Sequence, residues 1–376
     1  MEHYRPTILE VDVFAFAHNV KALKAHLAAD AKLMAVVKAD AYGHGAQMLS
    51  RVALANGADC LGVAMVEEAL PIRRYGIHDP ILVLGATLGE PAYRRAAEED
   101  IALAVYTLEQ LLSCQKAAVE TGKDVTIHLK VETGFHRLGM ALTDIPGFLN
   151  TLTACPNVML EGIFSHLGAA DVQEEADACQ AQHERLFRAE GMLQQAGYTP
   201  VVHLCNSAGT LRFSQYHRGM VRPGLSLYGY YPDVFLQEYG VSLKPVARLV
   251  SAIARIHTLG AGERIGYGFT HAAGADTLVA TIPIGYADGY PRCQGNGGQV
   301  LVQGVRRPVI GRVCMDQIMV DISGMDVQMG EEVVLFGRQG DGEIPVEELA
   351  QRSGTIVHEI LTGISARVYR EYVYAG

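Results

Sequence analysis

The chain has 376 residues, of which 49% are hydrophobic and 19% charged, so it carries enough apolar material for a large core and is not disordered. Its net charge of −10 and pI near 5.8 exclude a nucleic-acid partner, and basic runs such as Arg306-Arg307 are too short to form a phosphate-binding surface. The length suits one large domain followed by a smaller one.

Seven cysteines, Cys60, Cys114, Cys155, Cys179, Cys205, Cys293 and Cys314, are odd in number and contain no C-x-x-C pair. Scattered thiols in a reducing compartment are expected, with no disulfide framework and no metal site. The first residues, through Arg5-Pro6, form no apolar signal segment, and no stretch of about 18 apolar residues follows. The expected location is the cytoplasm, with no membrane contact.

In chain order, residues Phe16, Val20, Leu23 and Leu27 fall at helical spacing after a candidate N-cap at Asp12. From residue 33 short apolar runs alternate with helical stretches. The runs are 33–37, 60–64, 81–84, 101–105, 125–131, 158–164, 201–204 and 220–227, and they are nearly continuous in apolar character, as strands buried on both faces should be. Met48 and Val52 continue the helical pattern, which Asn56-Gly57 stops. Pro71 interrupts a helical pattern over 66–75, predicting a kink or a late start. Thr107 and Gln110 have capping-box spacing. Residues 176–196 read as one long helix closed by Gly197. Eight strand–helix units in series predict a (β/α)8 barrel of the TIM type, with a doubly wound open sheet as the alternative. After about residue 236 the pattern changes to strands with glycine turns, at 278–284, 300–302, 309–313, 319–322 and 333–336, plus one short helix at 346–352. The expected division is an α/β barrel over 8–236 and a mostly β domain over 237–376, joined by residues 1–7.

Placed on this barrel, the unusual polar residues gather at one end. Lys38, Tyr42, Gly43 and His44 follow the first strand, Arg137 follows the fifth and His166 closes the sixth. His203, Asn206 and Ser207 follow the seventh, while Arg222 and Gly224 lie within the eighth apolar run. Barrel enzymes build their sites at the C-terminal mouth, and surface polar residues would have no reason to prefer one end. A lysine ending the buried run Ala35-Val36-Val37-Lys38 is partly desolvated, which favours the neutral amine that attacks a carbonyl; read alone, it is also how an ordinary strand can end. Gly43 and Gly45 would let backbone approach a ligand closely. Ser207, with Gly209 and Gly224, could hold a phosphate at loops seven and eight; read singly, Ser207 is a plain N-cap.

The segment Ala35-Val36-Val37-Lys38-Ala39-Asp40-Ala41-Tyr42-Gly43-His44-Gly45 resembles the pyridoxal-phosphate lysine segment of alanine racemases, which are fold-type III enzymes of this cofactor. Supporting matches are Glu132-Thr133-Gly134-Phe135-His136-Arg137-Leu138-Gly139, His203-Leu204-Cys205-Asn206-Ser207-Ala208 and Arg222-Pro223-Gly224-Leu225. In the second domain Gly266-Tyr267-Gly268, Pro283 to Gly289 and Gly311 to Asp316 match as well, so the resemblance covers nearly the whole chain in order. It implies that Lys38 binds pyridoxal 5'-phosphate covalently. It further implies that Tyr42, Asn206, Ser207, Gly224 and Leu225 surround the phosphate side of the cofactor, that Arg222 faces its ring nitrogen, and that His166 lies against the ring, with His203 supporting Arg222. Arg137 and Met315 would meet the substrate. Lys130 corresponds to a position often carbamylated, and Tyr286, Arg292, Arg312 and Asp171 are implied as supporting residues. The family is a homodimer whose active sites are shared, so Tyr267 and Met315 would come from the partner subunit. The implied reaction interconverts L- and D-alanine with Lys38 and Tyr267 as two bases, supplying D-alanine for peptidoglycan.

Two departures stand out. Where the family usually reads Ile-Ser-Tyr-Arg-Val-Pro-Arg, this chain has Ile364-Ser365-Ala366-Arg367-Val368-Tyr369-Arg370, and His136 replaces a small residue. Both features resemble the serine/alanine racemase domains of vancomycin-resistance clusters, so serine is a candidate substrate beside alanine; the alternative is that Tyr369 or another ring fills the gap at Ala366. A non-catalytic pyridoxal-phosphate protein is a further reading, against which the second domain with Tyr267 and Met315 speaks. A fold-related decarboxylase is another, against which Arg222 speaks.

Overall fold

The computed structural model describes residues 4–374. Residues 1–3 and 375–376, which the sequence reading gave to the β domain, lie outside the described residues. The chain forms two compact units, one built from Ala15–Ala41 with Ala46–Pro245, the other from Tyr42–Gly45 and the chain from Val246 on, together with the segment that ends at Phe14.

The first unit is a closed barrel of eight parallel strands in sequential order. They are β1 (Lys32–Val36), β2 (Cys60–Val63), β3 (Ile81–Val83), β4 (Ala102–Val105), β5 (Val125–Lys130), β6 (Val158–Phe164), β7 (Val201–His203) and β8 (Met220–Val221). Each expected apolar run holds one strand, because a strand covered inside and outside needs apolar residues at consecutive positions. The eighth run is the exception in length. Only Met220 and Val221 pair, after which Pro223 cannot donate to a ladder and the chain turns into a short 3-10 helix, Leu225–Tyr228. Arg222 and Gly224 therefore sit just past the strand's C-terminal end.

The helices follow the sequence reading closely. Thr107 caps Leu108–Thr121 by accepting from Gln110 N, while the Gln110 side chain accepts from Tyr106 N rather than from Thr107. The long helix is Ala176–Gln195. The late start expected from Pro71 is not found, since the helix runs over Val66–Arg74 with Pro71 inside it. One missing donor there costs less than the burial of Val66, Ala69 and Ile72 returns.

The second unit is a mixed β sheet. Its strand order is Arg255–Leu259, Thr277–Ile282, Ile318–Asp321, Val305–Ile310, Gln299–Val302, Glu332–Gln339, Ala247–Ala252, Ile8–Asp12 and Tyr369–Val373. The strand Ile8–Asp12, inside the range the sequence reading gave to the barrel, pairs antiparallel with Ala247–Ala252 and parallel with Tyr369–Val373. Five residues with two buried side chains, Leu9 and Val11, leave too short an alternation to read in advance. A second helix in this unit, Val357–Gly363, was also absent from the sequence reading. No helix among the described residues is long and apolar enough to cross a membrane. All seven cysteines are free thiols.

Candidate active site

The turn after β1 is left-handed. Residues 39–42 have φ between 51° and 54° without a glycine among them, a conformation costing roughly 1–2 kcal/mol per residue. Side chains hold the strained turn in place. Glu68 accepts from Ala39 N at 2.8 Å and from Ala64 N at 2.7 Å, and Asp40 accepts from Ala46 N at 2.8 Å. Strain of this kind persists where the surroundings fix an otherwise unfavourable geometry, and here it fixes the backbone following Lys38. The expectation that Gly43 and Gly45 make room for a ligand needs correction. A Cβ at Gly43 would meet the Leu361 carbonyl, and one at Gly45 the Tyr372 hydroxyl, so both glycines make room for the chain itself.

Lys38 is exposed, yet its ammonium is disfavoured. Loss of surrounding water pushes its pKa down, the Arg137 guanidinium adds to this, and Glu68 opposes it. Lys130, at the end of β5, is buried with its amine over the Phe164 ring. Burial pushes it down to about 8, helped by Arg222, Arg137 and Lys38 and opposed by Glu132. Arg222 is buried as well and is pushed down to about 10, which leaves it protonated at neutral pH. Its hydrogen bonds run to neutral acceptors: Ser165 O at 2.6 Å, Leu204 O at 3.1 Å, His203 Nδ1 at 2.9 Å and His166 Nδ1 at 3.5 Å. His166 lies well below the ordinary histidine range, through burial and then Arg222, Arg137 and the two lysines, so it is neutral. Four cationic groups thus converge on one end of the barrel, and no carboxylate is hydrogen-bonded to Arg222 among the described residues. Such a field suits an anionic ligand.

The phosphate-like end is built differently from expectation. Asn206, not Ser207, caps the helix Ser207–Arg212, accepting from Gly209 N at 3.0 Å. Ser207 is thereby released, and its Oγ accepts from Gly224 N at 2.9 Å and Ser226 N at 3.2 Å. Both amide hydrogens are directed at the Ser207 oxygen, which leaves the Ser207 hydroxyl hydrogen, past β7 and β8 and beside Leu225, as a donor suited to a phosphate. Arg137 stacks on Phe135 with 4.3 Å from Cζ to the ring centroid, and Phe135 packs edge-on against His166. His136 has φ 55°, a backbone position that a small residue fills at less cost. Asp171 lies exposed in a turn whose neighbouring carbonyls, of Ala170 and Val172, accept from Arg212. Sequence reasoning missed His128 on β5, whose ring contacts His203; the available signal was a histidine inside a run of apolar residues.

In the second unit three separated segments meet. Gly268 lies against the Arg312 guanidinium, Tyr286 N donates to Cys314 O at 3.0 Å, and Ala287 N donates to Met315 O at 3.0 Å. Tyr267 is 69% exposed, Met315 52% and Tyr286 43%, three large side chains left open on the segments that meet here. Arg292 and Ala366 are exposed in the same unit, as is Tyr369 at the start of its strand. Tyr42, which belongs to this unit, packs its ring against His358.

The depressed Lys130 gives a pH dependence with a definite sign. Between about pH 8 and 10.5 the unfolded chain holds a proton on this lysine that the folded chain has released, so stability rises with pH across that window. In bicarbonate-free buffer, the melting temperature of the unmodified protein is expected to gain on that of Lys130→Met as pH rises from 8 to 10.5. A difference that stays flat across the window contradicts the assignment.

Comparisons with known proteins agree with this architecture. The model of the alanine racemase N-terminal domain matches residues 11–232, and that of the alanine racemase C-terminal domain matches residues 246–372. The chain is 40% identical to alanine racemase 1 of Oceanobacillus iheyensis, covering 98% of this chain and 99% of that protein. It superposes on alanine racemase from D-cycloserine-producing Streptomyces lavendulae with a TM-score of 0.93 at 36% identity, covering 99% of this chain and 98% of that one. The alanine racemase of Bacillus anthracis with bound L-Ala-P gives a TM-score of 0.93 at 37% identity, with 99% and 96% covered. With a barrel and a β unit matched in order over nearly its full length, this chain belongs to the alanine racemase family.

Proposed function

We propose that the chain is a pyridoxal-phosphate-dependent racemase that interconverts L- and D-alanine. The observation that carries this reading is the convergence, at one barrel mouth, of Lys38 with its lowered pKa, three further cationic groups and the Ser207 hydroxyl. These residues fit a ligand with an aldehyde at one end and a phosphate at the other. Lys38 would bind the aldehyde covalently, with Ser207, Gly224, Leu225, Asn206 and Tyr42 serving the phosphate side. Arg222 would meet the ring nitrogen, and His166 would lie against the ring.

Racemisation removes the Cα proton from one face and returns one to the other. Bound pyridoxal phosphate would supply the electron sink for the charge left at Cα. Lys38 serves as base and acid on one face and Tyr267 of the partner subunit on the other. Arg222 stays protonated, so it would donate a hydrogen bond to the ring nitrogen of the bound cofactor and give it no proton. Such a contact would restrain competing chemistry at the cofactor. Arg137, exposed and braced on Phe135, would receive the substrate carboxylate. The neutral amine of Lys130 can add carbon dioxide and release a proton to solvent, and the resulting carbamate would supply the anion that orients Arg137. Arg312, beside the Tyr267 turn, supplies positive charge near the second base, with Met315, Tyr286, Arg292 and Asp171 as supporting groups. The exposure of Tyr267, Met315 and Tyr286 supports a homodimer with shared sites. We place the enzyme in the cytoplasm as a source of D-alanine for peptidoglycan.

Incubation of the purified protein with a panel of single-enantiomer amino acids, followed by chiral chromatography, tests the reading. D-alanine from L-alanine is the expected result, with a visible absorbance band that borohydride abolishes. No enantiomer exchange with any amino acid would sink it. Ala366 favours a second substrate, serine, because it lacks the ring and hydroxyl expected at that position. Ala366→Tyr is expected to lower kcat/KM for L-serine relative to L-alanine roughly tenfold. An unchanged ratio removes Ala366 from substrate selection.

A further inference from the structure

The barrel interior holds a line of contacts whose first member sets the direction the others must follow if all are to stay hydrogen-bonded. Arg222 can only donate, so its Nη1, 2.9 Å from His203 Nδ1, makes that nitrogen an acceptor and puts the His203 proton on Nε2. Nε2 lies 2.8 Å from His128 Nδ1, which must then accept, and the His128 proton sits on Nε2 in its turn. That N–H faces Glu161 Oε2 at 3.6 Å, longer than a hydrogen bond but within the reach of the carboxylate charge. Both imidazoles are buried, and burial together with Arg222 holds His203 far below the ordinary range, keeping it neutral.

Two departures from regular structure build this line. The β5–β6 register steps from Ile127 opposite Leu160 to His128 opposite Gly162, so Glu161 is an extra residue in β6. Bulges re-aim side chains, and this one turns Glu161 toward the His128 ring. Gly162 then leaves room for that ring, since a Cβ there would overlap it, 2.8 Å from Cγ. Glu161 opens onto a cavity of about 60 Å³ lined by the N-terminal ends of the strands, where Lys32, Asp59 and Cys60 are the other polar groups. His128 holds the Glu161 carboxyl below its ordinary range, and Lys32 acts the same way against the effect of partial burial. Barrel interiors are filled by aliphatic layers, and a column of two imidazoles ending in a carboxylate is costly unless it sets something.

We propose that Glu161 and His128 are positioning residues for the reaction: the Glu161 charge holds His128, and through it His203, in the Nε2–H form, so that His203 always presents an acceptor to Arg222. This rests on the reading of Arg222 as the residue that meets the cofactor ring. With Glu161 gone, His128 can carry its proton on Nδ1. His203 must then accept at Nε2 and carry its own proton on Nδ1, opposing Arg222 donor to donor.

Nitrogen-15 spectra of the histidine rings in the full-length protein, with cofactor removed, read the tautomers without turnover. His203 and His128 are both expected as Nε2–H, and either found as Nδ1–H overturns the proposal without any substitution. Glu161→Leu is expected to give mixed tautomers at both rings and, in the loaded enzyme, a lower kcat with KM nearly unchanged. Glu161→Asp keeps a carboxylate facing the His128 N–H and is expected to restore the tautomers and most of kcat. Spectra identical in Glu161→Leu and the parent, or equal loss in both variants, would overturn it. Since the tautomers are read without cofactor, their outcome is separate from that of the racemase reading, which the enantiomer panel decides.

Discussion

Replacing Lys38 by alanine is expected to slow alanine racemisation by at least roughly 10³-fold while leaving the melting temperature of the cofactor-free protein unchanged or raised. The two halves of this expectation have one cause. The Lys38 ammonium stands among like charges, with Arg137 pushing its pKa down alongside the loss of water. Removing it relieves repulsion, whereas removal of an ordinary strand-ending lysine would do little to either property. Lys38→Arg sharpens the test. Arginine keeps the charge but cannot offer a neutral amine, so its activity should fall as far as that of the alanine variant. Mass spectrometry after borohydride reduction should find the cofactor adduct on the peptide carrying Lys38 and lose it in both variants. An adduct elsewhere, or an arginine variant that retains turnover, would remove Lys38 from the chemistry.

The barrel was legible because its physics repeats. Eight strands covered on both faces must each be apolar along their length, and eight such runs stand in the sequence. The candidate site was legible where residue type and strand end coincide, as at Lys38 and His166. It was obscure where a side chain's role depends on a neighbour far away in sequence. Ser207 looked like an N-cap because Asn206, one residue earlier, could take that role only once the backbone of the helix Ser207–Arg212 was in place. Gly43 and Gly45 suggested a ligand, whereas the groups they accommodate, Leu361 and Tyr372, lie more than 300 residues along the chain. Glu161 was invisible because a one-residue register step, not a motif, aims it at His128. Short strands such as Ile8–Asp12 carry too few buried positions for their pattern to exceed chance.

Mixing two inactive variants is expected to restore activity. If each site joins Lys38 of one chain to Tyr267 of the other, Lys38→Ala and Tyr267→Phe protomers will complement in mixed dimers. In such a dimer one site receives both altered residues and the other receives neither. Random reassociation of equal amounts makes half of the dimers mixed, and about a quarter of all sites intact. Activity should therefore climb from the background of either variant to about a quarter of the unmodified level, after dissociation and remixing. The exposed Tyr267, beside Met315 and the Arg312 guanidinium, is the observation that motivates the experiment, because a side chain so open in one chain is free to complete another. Phenylalanine keeps the ring and deletes only the hydroxyl, so a folding defect cannot imitate the loss. Were Lys38 and Tyr267 of the same chain to serve one site, every mixed dimer would contain two damaged sites and no activity would return. Recovery at a quarter assigns the second base to the partner subunit, and failure to recover, with dimers present by light scattering, returns it to the same chain.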